Sequence, residues 1–141
     1  MNITRAIPAD FFEIELQPRQ TAERAKADPA FAEVLAAHLA YTARIDGRII
    51  AIAGIIPLDR DVGEVWCGFA VDAGRYFTRL ARTALRLFEV CGKSRLLAVT
   101  ACDFGEGCRL LELLGFKREE DPLKGSAPGE PDKWIYVRVS T

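Results

Sequence analysis

The sequence predicts one domain over residues 1–141, of the α/β class in its α+β form: a mixed, mostly antiparallel central sheet flanked by helices. Three observations predict it. Two β-rich runs, Ala40 to Ile45 and Arg48 to Pro57, flank Asp46-Gly47, a dipeptide that accepts the left-handed backbone angles of a tight antiparallel hairpin. A helical stripe from Arg75 to Cys91 lies between two strand-like runs, which makes a strand-helix-strand crossover. The chain has 141 residues, 50% of them hydrophobic and 28% charged, which suits one globular core and excludes collagenous, disordered and disulfide-scaffold classes.

In chain order, Asn2 to Ala6 forms a short edge strand that Pro8 ends. Pro8 to Phe12 then carries the proline and acid of a first helical turn. Thr21 to Ala27 and Pro29 to Leu39 are Ala-rich and helical, with Ala32, Leu35, Ala36 and Leu39 at helical spacing, Asp28 as cap and Pro29 at the first helical position. After the hairpin and the polar turn 58–63, Glu64 to Asp72 alternates, with Val65, Cys67, Phe69 and Val71 on one face and Glu64, Trp66, Gly68 and Ala70 on the other. Gly68 is the expected bulge of that strand. Phe77, Leu80, Ala81, Ala84, Leu85, Phe88 and Cys91 form the apolar stripe of the crossover helix, which Gly92 caps. Arg95 to Cys102 is a strand, Glu106 to Leu114 a helix ended by Gly115, Phe116 to Glu120 a strand, and Lys133 to Val139 a last alternating strand. Asp121 to Asp132, rich in proline and glycine, is a loop within the domain.

The charge balance excludes some functions. With 19 basic against 20 acidic side chains the net charge is -1, so no global field draws the chain to nucleic acid or anionic lipid, and neither is an expected partner. The longest apolar run, Ile49 to Leu58, falls far short of the roughly 20 residues of a membrane span, and Arg5, Pro8 and Asp10 stand where a secretory signal would be apolar, so a soluble, cytoplasmic protein is expected. Cys67, Cys91, Cys102 and Cys108 form no CxxC pair and have only His38 as a histidine partner in the whole chain, so no metal site is expected and the thiols read as reduced core residues.

The element order, together with Arg109-Leu110-Leu111-Glu112-Leu113-Leu114-Gly115-Phe116 after the strand Leu96 to Thr100, resembles the GNAT superfamily of acyl-CoA-dependent N-acyltransferases. That resemblance implies a V-shaped opening between the strands Glu64–Asp72 and Leu96–Cys102 to receive the pantetheine arm of acetyl-CoA or another acyl-CoA. It implies Phe69, Ala70, Val71, Gly74, Arg75, Arg79 and Cys102 as the residues beside such a cofactor. It also implies a glycine-rich loop whose amides cradle the diphosphate, because unpaired helix N-terminal amides and close backbone approach suit an anion. Here Asp72-Ala73-Gly74-Arg75-Tyr76-Phe77-Thr78-Arg79 offers one glycine, with Phe77 and Arg79 at the positions best aligned with the family's glycines. The family's frequent acid, a tyrosine four residues before the LGF glycine, is replaced by Leu111, and the asparagine common after the fifth strand falls near Asp103 or Phe104. Leu16-Gln17-Pro18-Arg19-Gln20-Thr21-Ala22-Glu23, followed by the hairpin and Gly63-Glu64-Val65-Trp66, is similar to the small GNAT-like proteins of T7-like bacteriophages and prophages associated with internal virion proteins, which also lack the glycine loop. A degenerate acyl-CoA site on a binding or assembly scaffold, in host cytoplasm or virion, is therefore expected; the alternative is an active acetyl-CoA-dependent N-acetyltransferase.

For that alternative, Glu64 resembles the general base many GNAT enzymes use, a role a carboxylate fills when partial burial raises its pKa, although the same residue suits a solvated strand end. Tyr136 is the candidate acid, its other reading being a packing residue of an alternating strand. Cys102 and Cys108 bracket the region where a thioester would lie, yet lack an activating base nearby in sequence. Arg75, Arg79, Arg82 and Arg86 recur at i, i+4, i+7 and i+11, one face of a helix, and form the candidate contact for an acidic protein partner, phosphate or carboxylate, the other reading being a solvated face.

Overall fold

The computed structural model describes residues 1–17, 25–102, 104–125 and 128–140. The elements run β1 (Asn2–Arg5), α1 (Asp10–Glu13), α2 (Pro29–Ala37), β2 (Leu39–Ile45), β3 (Arg48–Pro57), β4 (Val62–Phe69), a 3-10 turn (Ala73–Tyr76), α3 (Phe77–Val90), β5 (Arg95–Ala101), α4 (Gly105–Leu113), β6 (Lys117–Arg118) and β7 (Lys133–Val139). The seven strands form one sheet in the order β1-β2-β3-β4-β5-β7-β6, so β4 is its central strand. All neighbouring pairs are antiparallel except β4 with β5. Among the described residues no helix is long and apolar enough to cross a membrane.

The hairpin forms as the dipeptide predicts: Asp46 and Gly47 both take positive φ, 50° and 80°, the combination that matches the twist of two strands joined by two residues. Asp28 caps α2 by accepting from the Ala30 amide at 3.1 Å, with Pro29 inside the first turn. Leu39, expected at the end of that helical stripe, instead opens β2. Of the helical run expected over Thr21 to Ala27, residues 21–24 lie outside the described residues.

The alternation of β4 sorts its side chains between two helical layers. Trp66 and Ala70 pack with Phe11 and Ile14 of the α1 region and Leu35 of α2. Val65 faces α3 and α4, in a cluster with Phe88, Leu110, Leu96 and Tyr136. Trp66 lies across Gly54 of β3, where a Cβ would meet the Leu39 carbonyl and the indole ring, so only glycine lets that ring lie flat on the sheet. Gly68 is not a bulge: it pairs in register with Ile52, and the register shift falls instead between Ala43 and Arg44. The bend is thus one hairpin away from the position the sequence suggested, beside the tight turn.

The N-terminal segment is fastened by one buried carboxylate. Asp10, only 2% exposed, accepts from the Ile7 amide at 3.1 Å, the Thr42 hydroxyl at 2.7 Å and the Arg44 guanidinium at 2.8 Å. Together these bonds pair the buried charge and give the buried Thr42 hydroxyl its acceptor. Replacing Asp10 with Ala strands the buried Thr42 hydroxyl and frees the entry to α1. Urea unfolding of D10A should show a loss of about 3 kcal/mol, the scale for breaking a buried pair; a loss within about 0.5 kcal/mol would remove this network from the fold's supports.

Candidate cleft between β4 and β5

The parallel contact of β4 with β5 consists of Val62↔Arg95, Gly63↔Leu96 and Glu64↔Leu97. Beyond these pairs β4 continues to Phe69 and β5 to Ala101 with no further pairing between them among the described residues. β5 stays in register with β7 along its whole length, from Arg95↔Val139 to Ala101↔Lys133. The two strands therefore separate toward their C-terminal ends and leave a V-shaped opening, as the resemblance implied.

The β4 wall of this opening is strapped by the chain's own N-terminal segment. Ala70 donates to Ile50 of β3 at 2.9 Å, so by the alternation of backbone groups Phe69 O and Val71 N point to the opposite edge, toward β5. There the Gln17 amide donates to Phe69 O at 2.9 Å, the Val71 amide donates to Glu15 O at 3.1 Å, and Leu16 bridges Ala70. The Gln17 side-chain amide adds a bond to Ala70 O at 2.9 Å. Thus, of the residues expected beside a cofactor, Phe69, Ala70 and Val71 already have backbone partners within the chain.

The turn that follows is equally occupied. Asp72 forms a two-pronged ion pair with Arg48, one prong at 2.7 Å. The Arg48 hydrogen bond holds the Asp72 carboxyl below the usual carboxylate range, and Arg48 is raised in turn. The Ala73 amide donates to Ala70 O at 3.0 Å and the Phe77 amide to Gly74 O, so these two amides at the entrance to α3 have partners within the turn. Gly74 is exposed. The Phe77 ring leans on Phe69 at 6.2 Å between centroids.

The remaining candidates are spread over the molecule. Glu64, half-buried, lies at the closed end of the V between Ile56 and Leu97. Tyr136 is fully buried among Phe88, Leu96, Leu114 and Phe116; burial first, and then the Cys108 thiol beside its hydroxyl, push its pKa up. An acid serving the cleft needs access to it, and this hydroxyl is closed off by core side chains. Cys102 sits just past β5, half-buried, its amide bonded to Asp132 O at 2.8 Å. Cys67 lies beneath α3, where burial pushes its thiol up to about 12, the opposite of an activated nucleophile. Arg75 departs from the expected helix face: it belongs to the 3-10 turn, 5.9 Å from the Tyr76 ring, because helical geometry begins only at Phe77. Arg79, Arg82 and Arg86 remain on α3, exposed, and among the described residues none of them has an ion-pair partner. Two features of the site escape sequence reasoning, the Glu15–Gln17 strap and the Arg48–Asp72 pair. Each joins residues far apart in the chain, and no local pattern announces either.

No protein-family model and no curated protein matches the sequence. Solved structures do match the fold. A provisionally assigned phosphinothricin N-acetyltransferase aligns at TM-score 0.77 and 19% identity over 99% of this chain and 98% of its own. A GNAT-family acetyltransferase from Streptococcus pneumoniae aligns at 0.70 and 15% over 99% of both chains. One from Elizabethkingia anophelis with acetyl-CoA bound aligns at 0.54 and 16%, over 72% of this chain and 75% of its own. The fold is that of the GNAT acetyltransferases.

The Arg48–Asp72 pair gives the turn a defined pH dependence. Because the Asp72 pKa is lowered, its contribution is full above the ordinary carboxyl value of 3.8 and is lost as pH falls through the lowered midpoint. An NMR titration of the Asp72 carboxyl carbon should find that midpoint below 3.8, and Arg48→Met should raise it toward that value. An unchanged midpoint in the variant would show that the pair does not hold the turn.

Proposed function

We propose that this chain uses the GNAT scaffold for binding and assembly, with its acyl-CoA site degenerate, as in the phage- and prophage-type proteins that its N-terminal half resembles. The observation that carries the reading is the strap: Phe69 O and Val71 N, the β4 edge groups that face the opening, are paired to Gln17 and Glu15. The turn beyond supports it. A diphosphate entering there would meet a turn with a single glycine, Gly74, in place of the close glycines that give an anion backbone access, and with its Asp72 carboxylate and Arg48 guanidinium already paired to each other. The residues of this turn do not fit the diphosphate of an acyl-CoA. Arg79, Arg82 and Arg86, exposed along α3, are the proposed contact for an acidic partner, with Arg75 beside them on the turn.

The opening between β4 and β5 favours a second reading, an N-acetyltransferase with Glu64 as base, and one neighbour of this fold was solved with acetyl-CoA bound. Calorimetric titration separates the two. The scaffold reading expects no saturable acetyl-CoA binding up to about 1 mM, equivalent to less than about 4 kcal/mol. Low-micromolar binding, with release of free thiol on addition of an amine, would replace it with the enzyme reading. In partner capture, R79E/R82E should lose the acidic partner while leaving fold stability within about 1 kcal/mol, since exposed charges contribute little to folding. Capture that survives the reversal would move the contact off α3.

A further inference from the structure

The layer between α3 and the sheet is incompletely filled. A cavity of about 310 Å³ runs beneath the helix, with a floor formed by β2, β3 and β4. That is about twice the ~150 Å³ of an engineered apolar cavity that stays dry and binds benzene. The cause is in the residues. The floor carries Ala43, Ala51, Ala53 and Cys67 and the helix Ala81 and Ala84, small side chains that leave space between the larger contacts of Leu80 and Phe88 with the sheet. Val65 and Cys67 stay partly accessible although β4 is the central strand, and Phe88 is the only residue of α3 that is buried. A finished core would be closed at such a place.

The chemistry of the walls selects the occupant. Beyond aliphatic and aromatic carbon they offer the polar atoms of Tyr41, Cys67, Thr83 and Arg86, and the Thr83 hydroxyl is already bonded to Arg79 O at 3.0 Å. Ordered water needs two to four polar partners, so hydrocarbon suits this space better than solvent. Among the described lining residues Arg86 is the one charged group, and it is exposed, with Arg82 and Arg79 also exposed on the same helix. A cationic edge on an apolar slot matches an anionic head on an aliphatic tail. At about twice the volume that accepts a benzene ring, the space suits an aliphatic chain of medium length.

We propose that the space between α3 and the sheet is a binding site for a medium-chain carboxylate, the chain lying over Ala53 and Cys67 and the carboxylate held at Arg86. The cavity adjoins the opening described above, for Phe69 and Phe77 line it too. Its floor runs from Tyr41 and Ala43 of β2 across Ala51 and Ala53 of β3 to Val65 and Cys67 of β4, and Leu110 and Leu111 of α4 close its far side.

The test is calorimetry with decanoate below its micellar range on the full chain, with decanol and decyltrimethylammonium as head-group controls. Decanoate should bind at one site per chain, and the cationic amphiphile should bind at least about tenfold more weakly. Ala53→Leu fills the floor and should weaken decanoate about tenfold or more, with circular dichroism and melting temperature showing the fold intact. If A53L fails to fold, Ala84→Leu makes the same test from the helix side. Arg86→Glu should weaken decanoate about threefold at low salt and leave decanol unchanged. Absence of decanoate binding, or binding indifferent to these substitutions, overturns the proposal. So does a wild-type dimer that A53L dissociates while decanoate fails to bind, because the occupant would then be a second copy of the chain.

Discussion

Parallel pairing between β4 and β5 that ends after Glu64↔Leu97 is the constraint on which the rest of the structure turns. β5 is committed to β7 along its full length, and β4 to β3 from Gly63 to Phe69, so neither strand can leave its antiparallel partner to close the gap. A sheet divided this way must satisfy the backbone groups along the opening from another source. Here the chain itself supplies Glu15, Leu16 and Gln17 to the β4 side.

Delivery of that strap depends on how the preceding residues are anchored. Asp10 ties the entry of α1 to β2 through Thr42 and Arg44, and Phe11 and Ile14 are buried against Trp66 and its neighbours on the α1 side of the sheet. Lys26 holds the Ile14 carbonyl at 2.6 Å. With those points fixed, the few residues after Ile14 reach the end of β4 in extended form, where their amides and carbonyls meet Phe69 and Val71. The same buried network that supports the fold thus positions the segment that occupies the opening. The α3 side is built differently, with alanines under a helix whose outer face carries arginines, and this leaves room beneath it.

Much of this was readable from local pattern. Asp46-Gly47 announces its hairpin because few residues accept two consecutive left-handed angles. The alternation through Trp66 and Cys67 announces a strand with two covered faces, and Gly115 at φ 91° ends α4 as the LGF pattern implies. The departures lie where tertiary contacts decide. Arg75 has helical spacing to Arg79, but the chain enters α3 through a 3-10 turn held by Ala70 and Gly74 carbonyls. Tyr136 fits an alternating strand whichever way its hydroxyl ends up, and only the packing of Phe88, Leu114 and Phe116 around it decides that it is closed off. Arg48 and Asp72, and Gln17 and Ala70, meet across 24 and 53 residues, a separation over which no periodicity operates.

Amide hydrogen exchange at Val71 and Gln17, read residue by residue with and without about millimolar acetyl-CoA, tests the central claim most directly. A strap that fills the β4 edge predicts both amides protected in the free protein, to the same degree when acetyl-CoA is added. Rapid exchange at both positions, slowed only when acetyl-CoA is present, would show an open edge waiting for its ligand and would contradict the account.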